Sequence, residues 1–259
     1  MRTILVGIYL GIFCLLSIPM FGVELIIGKY NKRLQAATSQ AIVKKALQGI
    51  LWVSGVKVDV SGVENIPLDQ PVLYVSNHRG IFDFVLAYTT VPNLTGFVSK
   101  IENKKILFIR TWMEFMNCLF LDRENIKEGL KTILAGIDKI KAGYSIFIMP
   151  EGTRNKEEGI LPFHEGSFKL SQKTGCPIVP VAIYNTDAAF EKHKPWIRKT
   201  NVAIRYGKPI YMEELDKEVG KDMFYNLFVY NCQIWTVFRY HNKSNCSICC
   251  NPDGTLYEE

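Results

Sequence analysis

A long apolar stretch near the N-terminus constrains this chain more than any other feature of its sequence. No charged residue occurs from Thr3 to Val23. As a helix rising about 1.5 Å per residue, the stretch would extend roughly 31 Å, which matches the hydrocarbon core of a bilayer. It is longer than the core of an ordinary signal peptide, and no small-residue cleavage site closes it. We therefore predict an uncleaved, membrane-associated helix, with a cleaved signal peptide as the main alternative.

Basic residues lie mostly on one side of this stretch. Only Arg2 precedes it. The basic residues that follow it are Lys29, Lys32, Arg33, Lys44 and Lys45. Because the cytoplasmic flanks of membrane helices carry an excess of Lys and Arg, we expect the remainder of the chain to lie on the cytoplasmic side of a membrane.

A second amphipathic segment follows between residues 35 and 53. Its apolar residues recur at helical spacing, with Lys44, Lys45 and Gln48 on the opposite side. These apolar residues are Ile42, Val43, Ala46, Leu47, Ile50 and Leu51. The apolar face could lie on the membrane surface, or it could pack on a globular domain. Residues 1–55 are thus predicted to form membrane-associated helices.

Composition allows several kinds of partner. A chain of 259 residues, 48% of them hydrophobic, can form one good-sized domain beside a membrane element. The net charge of +6, from 31 basic and 25 acidic side chains, could suit anionic lipid, phosphorylated substrates or nucleic acid. The seven cysteines are an odd number without the spacing of a disulfide framework, which favours a reducing, cytoplasmic setting.

From Pro71 onward the sequence alternates between short apolar runs and helix-like segments. The apolar runs occupy residues 72–76, 96–99, 118–121, 145–149, 178–184 and 202–206. The clearest helix is expected from Ile126 to Lys141, before Gly143, and another from Met223 to Phe238. We predict an α/β domain over residues 56–240, with a mixed, largely parallel sheet flanked by helices, and a C-terminal tail at 241–259.

A histidine and an aspartate follow the first apolar run, in the segment SNHRGIFDF. Residues five apart point in different directions on a helix, so His78 and Asp83 can meet only if His78 lies at or before the start of a helix. If they meet, Asp83 can fix the imidazole tautomer, and His78 can take a proton from a hydroxyl. These two residues therefore indicate general-base catalysis, although a histidine and an aspartate at this spacing, without other motifs, often have no function.

Two further polar segments end apolar runs. In MPEGTRN, residues 149–155, a glycine permits close backbone approach and Arg154 suits bidentate phosphate binding. In FLDR, residues 120–123, Asp122 and Arg123 follow another expected strand. Each could be an ordinary solvated turn, but loops at the carboxyl ends of parallel strands lie side by side.

Taken in order, four of these segments resemble the family of 1-acylglycerol-3-phosphate acyltransferases. NHRGIFD is similar to its NHxxxxD block, FLDR to its second block, PEGTR to its third and CPIVPVAI to its fourth. The resemblance runs from about Val72 to Ile183. It implies acyl transfer from acyl-CoA or acyl carrier protein to a lysophospholipid at a membrane, without a cofactor, a metal or a nucleic-acid partner.

The same resemblance implies roles for individual residues. His78 and Asp83 match the family's catalytic pair. Residues implied to bind the substrates are Lys100, Arg123, Glu151, Gly152, Thr153, Arg154 and Pro180. Among these, Lys100 and Arg154 are expected near the phosphate of the acceptor, and Pro180 in a wall of the acyl region. Transfer to another lysophospholipid or to glycerol 3-phosphate, or a non-catalytic lipid-binding scaffold, is the alternative.

The chain lacks the sequence motifs of several other classes of enzyme. The chain contains no GxSxG, no GxxxxGK[ST] and no HExxH. The C-terminal cysteines Cys246, Cys249 and Cys250, near His241, lack the separation of a structural zinc site, so we expect no metal.

Overall fold

A computed structural model describes residues 1–155 and 161–212 of the chain. Its helices are α1 (Arg2–Tyr30), α2 (Lys32–Ser54), α3 (Ile81–Thr90), α4 (Leu107–Phe115), α5 (Ile126–Lys141) and α6 (Lys169–Thr174). Its strands are β1 (Lys57–Ser61), β2 (Leu73–Ser76), β3 (Thr95–Lys100), β4 (Leu119–Leu121), β5 (Ser145–Ile148), β6 (Ile178–Tyr184) and β7 (Asn201–Tyr206). The helix predicted from Met223 to Phe238, the C-terminal tail and its cysteines lie outside the described residues.

The strands form a single sheet in the order β1-β7-β6-β2-β5-β3-β4. Every neighbouring pair is parallel except β6 with β7, which is antiparallel. The strands β2 to β6 therefore end at one common edge. All four residues of β2 and of β5 are buried, as expected for parallel strands covered on both faces. The predicted mixed, largely parallel sheet is confirmed.

Helices cover the two faces of the sheet. Side chains of α2, α3 and α4 share one apolar core with one face of the strands, for example Leu47, Leu86 and Trp112. Residues Ile140 of α5 and Leu170 of α6 belong to a second core on the other face. The apolar side of α2 is thus packed on the domain, which decides between the two alternatives that the sequence left open for it.

The helix α5 has the predicted bounds, but its apolar stripe is only partly packed. The Asn125 side chain accepts hydrogen bonds from the backbone N–H groups of Lys127 and Glu128 (3.1 and 3.2 Å) and so caps the helix. Ile137 and Ile140 are buried, whereas Ile126 is 89% exposed. Leu130 and Leu134 are exposed as well. Only part of the stripe therefore packs on the sheet, because the stripe is wider than the contact face.

The strand β1 was not predicted from the sequence. Its residues KVDVS alternate between apolar and polar side chains, and it pairs on one side only, with β7. None of its residues is buried. A short edge strand that buries so little apolar surface leaves a weak pattern in the sequence.

The helix α1 pairs with α2 along its length. Tyr9 donates a hydrogen bond to the carbonyl of Ala46 (3.0 Å), and Gln35 donates from Nε2 to the carbonyl of Glu24 (2.8 Å). The outward side of α1 is apolar and exposed from Ile4 to Ile26. By length and composition, α1 is the one described helix that could cross a membrane.

Both ends of α1 contact the rest of the protein. At its start, the backbone N–H of Ile197 donates to the Thr3 hydroxyl (2.8 Å). At its end, Glu24 and Asn31 contact α2. A helix that crossed a bilayer would hold its ends about 30 Å apart on opposite sides. The basic residues that follow α1 indicate the side of the membrane only for a helix that spans the bilayer. The location of the domain on the cytoplasmic side therefore stays a prediction.

Aspartates on the outward side of α1 should release the protein from membranes. Placing an ionised aspartate in hydrocarbon costs about 2.5 to 3.5 kcal/mol. The double substitution Ile8→Asp and Leu15→Asp, at positions 56% and 70% exposed, should move the protein from the membrane pellet to the soluble fraction. Its thermal unfolding in detergent should change little.

The matched control is Val6→Asp on the buried side of the same helix, which should lower the unfolding temperature because it places a carboxylate in the core. Retention of the double variant in the membrane pellet would contradict the assignment of the lipid-facing side.

Candidate active site

The predicted polar segments meet at the carboxyl edge of the sheet. His78 follows β2, Lys100 ends β3, Arg123 follows β4 and Glu151 follows β5. These strands are parallel, so the side chains that follow them lie along one edge. The first turn after β6 adds Thr186 to the same edge.

His78 and Asp83 form a direct hydrogen bond. The distance between His78 Nδ1 and Asp83 Oδ2 is 2.7 Å. Because α3 begins at Ile81, His78 lies in the preceding loop and Asp83 in the first turn of the helix. The predicted junction between loop and helix is confirmed. With Nδ1–H donated to Asp83, the lone pair of His78 Nε2 is available for a proton.

The Asp83 carboxylate is fully buried and accepts further hydrogen bonds. Oδ2 also accepts from the backbone N–H groups of Arg79 (2.6 Å) and Gly80 (2.8 Å). Oδ1 accepts from the hydroxyl of Thr186, which is fully buried too. A buried carboxylate held by this many donors keeps a fixed orientation. Thr186 was not identified from the sequence, where its only signal is a hydroxyl three residues after the fourth motif.

Asn77 joins the loop of His78 to β6. Its side-chain amide donates to the carbonyl of Ile183 (2.9 Å), and its carbonyl accepts from the N–H of Ile183 (2.8 Å). Asn77 is buried, so both bonds are shielded from water. The asparagine of the first motif therefore positions the loop, a role that the sequence analysis did not assign.

Glu151 bonds to two backbone N–H groups, one of them in the loop that carries His78, and its contact with the substrate stays a prediction. Oε1 accepts from the N–H of His78 (2.6 Å), and Oε2 accepts from the N–H of Leu161 (2.9 Å). Only 4% of Glu151 is exposed, and this burial raises the pKa of its carboxyl although both hydrogen bonds and His78 oppose the shift. The N–H of Asn155 also donates to the carbonyl of His78 (2.8 Å). The segment after β5 thus holds both backbone groups of His78.

Gly152 occupies a position where a side chain would not fit. Its φ angle is +72°, and a Cβ atom there would lie 2.8 Å from Nε2 of His164. The same Cβ position lies 3.9 Å from Cζ of Arg123, so Arg123 reaches the turn after β5. Burial lowers the pKa of Arg123 while the nearby Glu102 carboxylate opposes that shift. Lys100 Nζ is 4.0 Å from Glu102 Oε1, which places Lys100 in the same group of charges.

Arg154 extends from this turn toward α3. Its Nη1 donates to Glu191 Oε1 (2.9 Å), and the same oxygen accepts from the N–H of Ile81 at the start of α3 (2.9 Å). Glu191 therefore links Arg154 to the helix that carries Asp83. The side chain of Arg154 is 45% exposed, and Thr153 beside it is exposed. Glu191 was not identified from the sequence.

Pro180 lies apart from these residues. It is buried in the middle of β6, where its ring packs against Gly207. Its position beside an acyl chain stays a prediction. Across residues 1–155 and 161–212, no group of three or more His, Cys, Asp or Glu side chains could hold a metal ion.

Part of the chain is similar to known proteins. The acyltransferase family matches residues 57–184, which include His78, Asp83, Glu151 and Arg154. The 1-acyl-sn-glycerol-3-phosphate acyltransferase of Borreliella burgdorferi is 32% identical over 162 residues, which are 62% of this chain and 62% of that protein. The enzyme of the same name from Salmonella typhimurium is 35% identical over 58% of this chain and 61% of that protein. This chain thus spans less than two thirds of the length of each.

A solved structure shares the fold. The crystal structure of the 1-acyl-sn-glycerophosphate (LPA) acyltransferase PlsC from Thermotoga maritima superposes with a TM-score of 0.75. The match covers 92% of this chain and 98% of that chain, at 22% sequence identity. The likeness therefore supports the whole described architecture, including the two N-terminal helices.

The raised pKa of Glu151 gives stability a defined pH dependence. A carboxyl whose pKa is higher in the folded state contributes stability that is fully present below its unfolded pKa and is lost as the pH rises through the folded pKa. Glutamine cannot ionise. The free energy of unfolding of the wild type, relative to that of Glu151→Gln, should therefore fall as the pH rises above the ordinary carboxyl pKa of about 4.3.

The measurement is denaturant unfolding in detergent at a series of pH values. Glu114→Gln, at an exposed carboxylate on α4, supplies the baseline for a change of surface charge. If the free energy of unfolding of the wild type relative to Glu151→Gln rises with pH, the two backbone hydrogen bonds outweigh burial in setting the pKa of Glu151.

Proposed function

We propose that the chain transfers a fatty acyl group to 1-acylglycerol-3-phosphate, forming phosphatidic acid, on the premise that its residues 57–184 match the acyltransferase family. The hydrogen bond between His78 and Asp83 carries the proposal, because it provides a general base at the carboxyl edge of the sheet. The activities for which the Borreliella and Salmonella relatives are named support this choice of acceptor.

In the proposed reaction the histidine acts on the acceptor hydroxyl. Nε2 of His78 takes the hydroxyl proton while the hydroxyl oxygen bonds to the carbonyl carbon of an acyl thioester. The carbon–sulfur bond then breaks, and the departing thiolate takes the proton from the imidazolium. Asp83 stabilises the imidazolium between these steps through Nδ1–H. No acyl group becomes attached to the protein.

Cationic side chains near the pair suit the phosphate of the acceptor. Arg154 uses Nη1 for Glu191 and retains further donors for a phosphate, which guanidinium groups bind in a bidentate manner. Lys100 at the end of β3 and Arg123 after β4 supply further positive charge. Gly152 and Thr153 belong to the turn after β5, which Arg123 reaches. Glu151 acts through the backbone of His78 as a positioning residue.

The donor and the location belong to the same proposal. The donor is an acyl thioester, either acyl-CoA or acyl carrier protein, and neither a cofactor nor a metal takes part. The exposed apolar side of α1 holds the domain on a membrane surface, on the cytoplasmic side, where both substrates and product reside. Since both ends of α1 contact the protein, we propose that this helix lies along one leaflet.

The first experiment is acyl transfer to 1-acylglycerol-3-phosphate in detergent micelles, with acyl-CoA and acyl carrier protein offered separately. Wild type should form phosphatidic acid with at least one donor. His78→Ala should lower kcat by about 10²- to 10⁴-fold, the usual contribution of a general base. His193→Ala, at an exposed histidine of a 3-10 turn, is the control and should retain activity.

Other results would redirect the proposal. Product with another lysophospholipid or glycerol 3-phosphate, but not with 1-acylglycerol-3-phosphate, would replace the acceptor. Lipid binding without turnover on any of these acceptors would favour the non-catalytic scaffold.

Thr186 provides a sharper test of the role of Asp83. Thr186→Val keeps the shape of the side chain but removes its hydrogen bond to Asp83, so kcat should fall about tenfold, equivalent to about 1.4 kcal/mol. Thr186→Ser, which keeps the hydroxyl, should restore most of the rate. Equal rates for the valine and serine variants would exclude this hydrogen bond from the mechanism.

A further inference from the structure

The segment between β6 and β7 carries a cluster of exposed cations. Lys194, Arg198 and Lys199 are exposed, and within residues 1–155 and 161–212 none of them forms an ion pair. Trp196 lies among them and is 51% exposed. Exposed cations around an exposed indole require a reason, because an indole in water leaves much apolar surface uncovered.

Hydrogen bonds attach this segment to the start of α1. The Thr3 hydroxyl accepts from the N–H of Ile197 (2.8 Å) and donates to the carbonyl of Pro195 (3.4 Å). A cleft of about 450 Å³ lies between the two segments. It is lined by Met1, Arg2, Thr3, Trp196, Ile197 and Arg198. Two guanidinium groups and an indole therefore share one concave surface.

The cleft adjoins the apolar surface of α1. Ile4 and Leu5, next to Thr3, are 61% and 49% exposed. Trp52, in the last turn of α2, is 84% exposed. This turn ends at Gly55, where a Cβ atom would lie 3.0 Å from Nη1 of Arg2. The lipid-facing surface thus ends in tryptophan and cationic side chains, the residues that occupy the boundary between hydrocarbon and headgroups.

We propose that the cleft, together with Lys194 and Lys199, binds the headgroup of an anionic phospholipid in the bilayer. The indole of Trp196 lies at the headgroup level, and Arg2 and Arg198 contact the phosphate. The two neighbouring carboxylates, Asp187 and Glu191, are already paired with Lys192 and Arg154, so they leave the positive charge of the cleft uncompensated. The inference requires the membrane contact of α1 but not the proposed acyl transfer.

The site differs from the one that would hold the acceptor phosphate. Arg154 and Arg123 belong to the loops that follow β5 and β4, whereas the cleft is formed by the start of α1 and the segment before β7. Two carboxylates in the segment after β6 pair with cations of the candidate active site. Asp187 contacts Arg79, which follows His78, and Glu191 contacts Arg154. The two cationic regions can therefore be altered separately.

The experiment measures binding of the full chain to vesicles by flotation. One set of vesicles contains phosphatidylcholine alone, and the other also contains phosphatidylglycerol. Each cation near an anionic surface contributes about 1 kcal/mol, or about fivefold in affinity. The triple variant Lys194→Gln, Arg198→Gln, Lys199→Gln should therefore lose at least about tenfold in affinity for the anionic vesicles. Its affinity for phosphatidylcholine vesicles should equal that of the wild type.

A matched triple variant removes the same charge from the opposite face of the sheet. Lys127→Gln, Lys141→Gln and Lys173→Gln lie at exposed positions on α5 and α6 and should leave vesicle binding unchanged. Thermal unfolding of both triple variants in detergent verifies that they are folded. Equal losses of affinity for the anionic vesicles in the two triple variants would attribute the effect to net charge and overturn the proposal. Wild-type binding that does not increase with phosphatidylglycerol would overturn it as well.

Inorganic phosphate separates a lipid headgroup from a free anion. At constant ionic strength, replacing chloride with phosphate should leave binding to the anionic vesicles unchanged, because a free phosphate lacks the attachment of the headgroup to the bilayer. Displacement of the protein by phosphate would instead assign the cleft to a soluble phosphate compound. Quenching of tryptophan fluorescence by brominated lipid should be weaker in Trp196→Phe than in the wild type, with Trp52 accounting for the remainder. Quenching as strong as in the wild type would place Trp196 outside the bilayer.

Discussion

The buried carboxylate of Asp83 is the group on which the arrangement of the site depends. It receives the imidazole of His78, two backbone N–H groups of the same loop and the hydroxyl of Thr186. A buried charge is stable only when its lone pairs are occupied, so the carboxylate forces the loop before α3 and the turn after β6 to converge. The proposed catalytic base, His78, is therefore oriented by the same contacts that stabilise the carboxylate inside the protein.

The direction of the strands brings the remaining parts of the site together. Because β2 to β6 end at one edge, the segments that follow them can bond to one another without long connections. Glu151 holds the backbone of His78, Asn77 pairs with Ile183, and Glu191 joins Arg154 to the start of α3. Three loops are thus tied to each other before any substrate is present, which is the kind of preorganisation that acyl transfer requires.

Much of this arrangement could be predicted from the sequence. The periodicity of apolar residues located β2 to β7 and the bounds of α5, and the spacing of His78 and Asp83 required the observed junction between loop and helix. Thr186 and Glu191 could not be found in this way, because they are distant in sequence from the residues they contact and belong to no local pattern. Glu151 was identified as a site residue, but only the fold showed that it bonds to backbone. The proposed membrane placement of α1 likewise rests on a contact with Ile197 that no local pattern reveals.

That contact between Thr3 and Ile197 also affects how the protein is made. The two residues are 194 positions apart, so the beginning of α1 leaves the ribosome long before its partner exists. At about 5 to 20 residues per second, the interval is roughly 10 to 40 s. During this time the apolar surface of α1 can be covered by α2, by α4 or by lipid. Nascent chains of this protein should therefore attach to the membrane first and complete their domain there, with the segment before β7 bonding to a helix that is already anchored.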